Sequence, residues 1–263
     1  DGTVDCCGTG GDGLGTYNIS TAVALVAAAC GVPVAKHGNR AASSKSGAAD
    51  VLEKLGVNLS APRDKLETAL KATGFCFLMA PNHHLAMRHV QSARRALGRR
   101  TIFNLIGPLS NPAGTKRQLI GVYEQKRLIP MARALQKLGS ERAWIVHGSD
   151  GLDEISLSGP TYVAAWENGH IKERTITPDD FGLSPIDNKQ IMGGDADENA
   201  QALLALLQGH KGAYTDIVLA NTSAVLTIAD NVPNLKAGVA MAAYAIHTGA
   251  ALATLERYKV ATQ

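Results

Sequence analysis

The sequence predicts an α/β fold, a mostly parallel central sheet with flanking helices, on three observations. Short apolar runs alternate with longer helical stretches as far as His147, the pattern of strand–helix–strand units. The first run, Val4-Asp5-Cys6-Cys7, opens into a glycine-rich turn, Gly8-Thr9-Gly10-Gly11-Asp12. After residue 176 no strand signal remains, and helical patterns rich in alanine and leucine take over. At 263 residues the chain can bury one large core or two unequal ones, and no repeat or low-complexity tract divides it.

Taken in order, Val4–Cys7 is the first strand. Asn18-Ile19-Ser20-Thr21 precedes an apolar run, Ala22 to Cys30, that reads as a helix over 20–31. Val32–Lys36 is the second strand, and helices over 44–56 and 62–73 lead to a third, Cys76–Met79. A helix over 82–97 follows, then the strand Leu119–Val122, a helix over 125–138 and the strand Ala143–His147. Thr161–Trp166 and His170–Thr175, joined across Asn168-Gly169, read as an antiparallel hairpin, because Asn-Gly suits the left-handed turn that hairpins use. Helices over 196–208, 212–230 and 235–257 complete the pattern.

Hydrophobic residues make up 45% of the chain and charged residues 19%, the balance of an ordinary globular protein. A net charge of +3 is too small to argue for nucleic acid. Cys6, Cys7, Cys30 and Cys76 show no metal-ligand spacing. The adjacent Cys6 and Cys7 face opposite sides of a strand and read as core thiols in a reducing compartment. With no secretory signal and no apolar run of membrane-spanning length, a cytoplasmic protein without a membrane partner is expected. No acidic residue lies between Glu67 and Glu124, whereas Lys71, Arg88, Arg94, Arg95, Arg99, Arg100, Lys116 and Arg117 do. That stretch is expected to give one wall of a site for anionic ligands, beyond a merely solvated basic face.

A glycine turn after a strand lets backbone N–H groups converge on a phosphate with no Cβ in the way. Asn18 to Thr21 add amide and hydroxyl groups at a helix N-terminus, where anions are stabilised. Gly8, Gly10 and Gly13 also satisfy a dinucleotide fingerprint. However, the helix restarts only near Ser20, and the second strand ends in basic residues where a ribose-binding acid is wanted. No Lys-Ser or Lys-Thr closes the run, so a Walker loop fails. Lys36-His37-Gly38-Asn39-Arg40-Ala41-Ala42-Ser43-Ser44 is a second loop that leaves a strand and feeds a helix. Two such loops at the carboxyl ends of parallel strands suit a ligand with two separated phosphate groups.

Asp153-Glu154 is either an exposed acidic turn or a pair of ligands for Mg2+, which favours oxygen donors and is usually shared with substrate phosphates. Asn82-His83-His84 is followed by Arg88 and Arg94, and the planar fork of Arg94 could clamp a carboxylate. Thr101 to Leu109 is an apolar turn able to wall an aromatic ring, so the pocket fits a small aromatic acid. No serine or cysteine stands in an activating context. Chemistry by positioning and charge stabilisation is therefore expected.

Together, Gly8 to Asp12, Asn18 to Thr21, Lys36 to Arg40 with Ser43-Ser44, Arg94, Thr101 to Pro108 and Asp153-Glu154 resemble the motifs of the anthranilate phosphoribosyltransferases. These are tryptophan-pathway enzymes of the nucleoside-phosphorylase-like transferase class. The resemblance keeps the family's order and spans most of the chain. It implies transfer of phosphoribose from phosphoribosyl pyrophosphate (PRPP) to the amino group of anthranilate, releasing pyrophosphate. By carry-over, Gly8, Gly11, Asp12, Thr16, Asn18, Ile19, Ser20 and Thr21 would hold PRPP. Lys36, His37, Gly38, Asn39, Arg40, Ala41, Ala42, Ser43, Ser44 and Ala48 would complete that site. Gly8, Asn39 and Arg94 would hold anthranilate, and Ser20, Asp153 and Glu154 would bind Mg2+.

The family carries helices ahead of the glycine turn that pack with later ones into a small helical domain, contribute to a dimer contact and wall the acceptor channel. Here the chain opens directly into its ligand-binding strand, so a missing N-terminal segment is expected. The resemblance thus implies one α/β transferase domain over 1–263, with 82–100 contributing to a small helical domain incomplete at its N-terminal side. It implies a homodimer for the full-length protein, with PRPP and anthranilate as partners and no nucleic acid. Cys6-Cys7 stands where an aliphatic pair is more usual, a conservative change for packing. Two other expectations compete. One is a pyrimidine-nucleoside phosphorylase on the same architecture, disfavoured because phosphorolysis needs no metal-bound pyrophosphate. The other is a PRPP-binding module without turnover.

Overall fold

The computed structural model describes residues 2–41, 45–84 and 101–263. One seven-stranded sheet organises it: β1 (Val4–Gly8), β2 (Val34–Gly38), β3 (Phe75–Met79), β4 (Arg117–Gly121), β5 (Arg142–Gly148), β6 (Thr161–Glu167) and β7 (His170–Ile176). The spatial order is β3-β2-β1-β4-β5-β6-β7. Strands β1 to β5 run parallel, β6 is antiparallel to β5, and β7 is antiparallel to β6. All the strands expected from the sequence are present, and the Asn168-Gly169 hairpin turns with both residues at positive φ.

The order of strands reverses direction at β1. The chain moves outward through β2 and β3 on one side, then returns to lay β4 and β5 on the other. Right-handed crossovers therefore place the connecting helices on opposite faces. Helix α1 (Ile19–Ala29), between β1 and β2, packs into one core with Cys6. Counting on in chain order, α2 (Ala48–Lys54), α3 (Arg63–Thr73), α4 (Ala80–His83) and α5 (Phe103–Ile106) precede α6 (Leu128–Lys137). Helix α6, between β4 and β5, packs into the other core with Cys7. The two adjacent cysteines thus lie on opposite faces, as the strand period requires.

Next come α7 (Pro178–Phe181), α8 (Ala196–Leu207), α9 (Ala213–Ile228), α10 (Leu235–His247) and α11 (Ala250–Thr262). Helix α1 is apolar on every side because it is sandwiched between the sheet and α9. Among the described residues no single helix is long and apolar enough to cross a membrane.

Two helix expectations change, and a third lies mostly outside the described residues. The helix over 235–257 is two, α10 and α11, bent by 64° at Thr248-Gly249, where Gly249 takes φ +75°. A residue in that left-handed conformation ends a helix. The bend carries α11 back over the edge strand β3, where the Tyr258 hydroxyl accepts the Phe77 N–H at 2.8 Å. The helix over 44–56 begins only at Ala48, because Gly47 is extended and gives its N–H to the Asp50 carboxylate at 2.9 Å. Of the helix over 82–97, the single turn α4 is described, and residues 85–97 lie outside the described residues.

Candidate active site

The carboxyl ends of β1 and β2, the turn after β3, the 103–110 segment and Asp153-Glu154 of the link after β5 surround a cavity of about 450 Å³. It sits where ligands bind in open parallel sheets, beside the reversal of strand order between β1 and β4. Every expected site residue that is described lines it: Gly8, Gly11, Asp12, Thr16, Asn18 to Thr21, Lys36 to Ala41, Ala48, Asp153 and Glu154. Ala42, Ser43, Ser44 and Arg94 lie outside the described residues.

The glycine turn needs its glycines for conformation. Gly10, Gly11, Gly13 and Gly15 all take positive φ, between 66° and 81°. Gly8 needs none of that freedom and is required by close approach instead. It pairs across the sheet with Gly121, and the Asp153 backbone lies over both. A Cβ on Gly8 would stand 2.5 Å from Asp153 Oδ2 and 3.0 Å from its carbonyl oxygen. One on Gly121 would overlap the Asp153 carbonyl outright and lie 3.0 Å from Glu154 N. Two strand ends without side chains thus form the seat on which the acidic pair rests.

Asp153-Glu154 is consequently no exposed acidic turn, since both residues are buried. Asp153 Oδ2 accepts the Gly10 N–H at 2.6 Å. Burial, with the charges of Asp12 and Glu154, pushes the Asp153 carboxyl well above its usual range. Burial likewise raises Glu154 to about 7, against the opposing charge of Lys36 and hydrogen bonds from Ser20. Lys36 lies beneath them, 1% exposed, and donates from Nζ to Cys6 O at 2.7 Å and Ser20 Oγ at 3.0 Å.

Two desolvated carboxyls beside a third, Asp12, form a site short of positive charge, and all the nearby donors are oxygens. That donor set fits Mg2+. Among the described residues no three His, Cys, Asp or Glu side chains cage a metal ion. A cation here would therefore complete its shell from substrate and water, as Mg2+ usually does.

The second loop supplies less charge than expected. The Arg40 guanidinium is committed to α2, forked on Glu53 at 2.7 and 2.8 Å and on Asp50 at 3.0 Å. His37 and His84 meet Nε2 to Nε2 at 3.2 Å, their rings edge to face at 69°. Burial and the neighbouring His84 push the His37 imidazole down to about 4, against a hydrogen bond with the Gly107 backbone. The apolar turn after Thr101 folds as α5 and a 3₁₀ turn (Pro108–Ser110), and Phe103, Ile106 and Pro108 wall the cavity opposite the glycine turn. Its anchor is Asn111, whose Nδ2 donates to the fully buried Asp5 Oδ2 at 2.7 Å and to Ala35 O at 2.8 Å.

The basic stretch is corrected in part. Lys71 is exposed on α3, and Lys116 and Arg117 lie at the amino end of β4, opposite the cavity, where Arg117 pairs with Asp230 at 2.6 Å. None of the three lines the site, and Arg88, Arg94, Arg95, Arg99 and Arg100 lie outside the described residues.

Sequence reasoning missed Gly121, Asp5, Asn111 and Asp150. Asp150 ties the acidic loop together, accepting from Ser156 Oγ at 2.6 Å, Asn188 Nδ2 at 2.7 Å, Ser158 Oγ and Leu152 N. The one available signal was that Gly121, like Gly8, closes an apolar strand.

The family model of the glycosyl transferase family, a/b domain, matches residues 1–252. The anthranilate phosphoribosyltransferase of Azospirillum brasilense is 57% identical over 256 residues, covering 97% of this chain and 72% of the relative. Among solved structures, the anthranilate phosphoribosyltransferase of Thermus thermophilus superposes with a TM-score of 0.93 at 46% identity, covering 99% of this chain and 78% of the other. The Saccharomyces cerevisiae enzyme in complex with PRPP and Mg gives 0.91 at 33% identity, covering 99% and 73%. A complex of the yeast enzyme with 4-fluoroanthranilate gives 0.88 at 31%, with the same coverage. A chain so matched along nearly its whole length, with its glycine turn, basic loop and acidic pair gathered at one cavity, belongs to the anthranilate phosphoribosyltransferase family.

Proposed function

We propose that this protein transfers the 5-phosphoribosyl group of PRPP to the amino group of anthranilate, with Mg2+ as cofactor, in tryptophan biosynthesis. The observation that carries the reading is the buried Asp153-Glu154 pair held against the glycine turn, in the same cavity as the Lys36 loop.

The N–H groups of the glycine turn and of the α1 N-terminus hold the pyrophosphate of PRPP, which the helix end also stabilises electrostatically. Lys36, fixed by Cys6 O and Ser20 Oγ, contributes a cation beneath it. Ser20, Asp153 and Glu154 would hold Mg2+, which would neutralise negative charge on the pyrophosphate. As the bond from ribose C1 to pyrophosphate breaks, its electron pair leaves with the pyrophosphate, and C1 gains oxocarbenium character. The anthranilate amine then donates its lone pair to C1 from the opposite face and gives up a proton to solvent. Gly8 and Asn39 border the acceptor, Arg94 clamps its carboxylate, and Phe103, Ile106 and Pro108 exclude water around its ring. No covalent enzyme intermediate is required.

The same reading makes residues 1–263 one α/β transferase domain, with 82–100 contributing to a small helical domain. It makes the full-length protein a cytoplasmic homodimer. The test is the decay of anthranilate fluorescence with PRPP, run with Mg2+ and with EDTA, for the protein and its Arg94→Ala variant. Mg2+-dependent decay is expected, with Arg94→Ala raising the KM for anthranilate far more than that for PRPP. Turnover that survives EDTA would sink the metal assignment, and equal loss of both substrates would sink that of Arg94.

A further inference from the structure

The polarity of one amide at the cavity is fixed from outside it. Asn199, on α8, is 2% exposed and bridges two loops. Its Oδ1 accepts the Gly194 N–H at 2.8 Å, and its Nδ2 donates to Asn18 Oδ1 at 2.9 Å. A backbone N–H can only donate, so the first bond decides which end of the Asn199 amide faces which way. Its nitrogen end is left for Asn18, and Asn18 must answer with its oxygen. Ser46 Oγ, 3.5 Å from the same oxygen, approaches that end too. The Asn18 Nδ2 group is left with no hydrogen-bond partner among the described residues, on a side chain that lines the cavity.

We infer that Asn199 is a positioning residue: it sets the orientation of the Asn18 amide so that a donor meets the anionic end of the phosphorylated substrate. The opposite orientation would turn a carbonyl oxygen toward phosphate oxygens and convert attraction into repulsion.

The relay is held rigidly. The segment before α8 is laced to the glycine turn by Tyr17 N to Ile191 O and by Gly193 N to Gly15 O, both at 2.9 Å. Gly193 packs so closely that a Cβ there would stand 2.8 Å from Thr16 O and 2.9 Å from Asn199 Oδ1. The inference rests on the reading of this cavity as the PRPP site, and the experiment separates the two.

The informative variant is Asn199→Asp, which keeps the shape and the acceptor for Gly194 N–H but removes the donor. Asn18 must then turn its nitrogen toward the new carboxylate and its oxygen toward the substrate. The KM for PRPP is expected to rise about tenfold or more, the loss of a hydrogen bond to a charged group, with the KM for anthranilate and kcat moving less than about threefold. Asn18→Ala should raise the PRPP KM comparably, and in that background Asn199→Asp should add less than about twofold. The added negative charge alone, or a loosened α8, would act equally in both backgrounds.

Additive effects, or an unchanged PRPP KM in Asn199→Asp where Asn18→Ala raises it, would overturn the inference. An unchanged PRPP KM in Asn18→Ala would overturn the reading of the site and the inference with it. Should Asn199→Asp melt too early to assay, Asn199→Ala releases the amide without inverting it. A rise of about threefold that vanishes in the Asn18→Ala background is then expected, and an additive rise refutes the relay.

Discussion

Replacing Gly121 by alanine tests whether the acidic pair works from the place where the sheet seats it. The added methyl overlaps the carbonyl of Asp153 and lies 3.0 Å from Glu154 N, so it meets backbone with no side chain to rotate away. Restoring an ordinary contact of about 3.5 Å requires the 153–154 peptide to move by roughly an ångström or more. Overpacking of this kind costs about 1–3 kcal/mol, which for a domain of this size lowers the melting temperature by roughly 2–12 °C. A misplacement of about an ångström at a reacting centre costs on the order of 100-fold in rate. The assay is the initial rate of anthranilate consumption at saturating PRPP across a Mg2+ titration, with thermal melts by circular dichroism alongside. The expected result is a folded variant with a rate lower by about two orders of magnitude and a weaker response to Mg2+. Gly159→Ala is the control, because its methyl meets only Ser149 Oγ, at 2.7 Å, and that hydroxyl can turn aside. A folded Gly121→Ala protein with the original rate and the original Mg2+ half-saturation would refute the reasoning.

Two further predictions concern protons. His37, pushed down to about 4 by burial and by His84, should stay neutral across physiological pH. Its ring protons should show no titration between about pH 5 and 8 by NMR, and a midpoint near the ordinary 6.5 would contradict the buried pair. Because the unfolded chain takes up that proton first, the stability His37 contributes is whole above 6.5 and is lost as pH falls toward 4. At Asp150, burial raises the carboxyl, but hydrogen bonds from Ser156, Ser158, Asn188 and Leu152 outweigh it and leave it below the usual 3.8. Its contribution is therefore present above 3.8 and lost as pH falls through the lower folded value. Asp150→Asn should destabilise the protein at pH 7 by about 1–3 kcal/mol in urea titrations, and the gap should narrow in acid. An unchanged gap at acid pH would mean that the charge of Asp150 does not hold the loop.

Much of this was legible in the sequence because its signals are local. The short apolar runs marked all seven strands, and the glycine turn announced itself by composition alone. What escaped depends on register or on distant partners. Gly8 and Gly121 become one seat only when β1 and β4 lie side by side in the sheet, with the whole of β2 and β3 intervening in the chain. Arg40 reads as a cation for phosphate until α2 brings Asp50 and Glu53 within reach of its guanidinium. The break at Thr248-Gly249 is hidden because the apolar pattern continues through it. The glycine itself is the warning, since a left-handed residue inside an alanine-rich run ends a helix.

The acidic pair is carried by a link that both leaves and re-enters the sheet at the same end. β5 ends at Gly148, β6 begins at its cross-strand partner Thr161, and residues 149–160 span the gap. A strand-to-helix loop has one foot on the sheet and the other on a helix that can slide or tilt. This link has both feet on adjacent strands, with the Asp150 knot bracing its middle. It is mechanically a bracket bolted to the sheet. Asp153 and Glu154 thus serve as the fixed datum from which the site is measured.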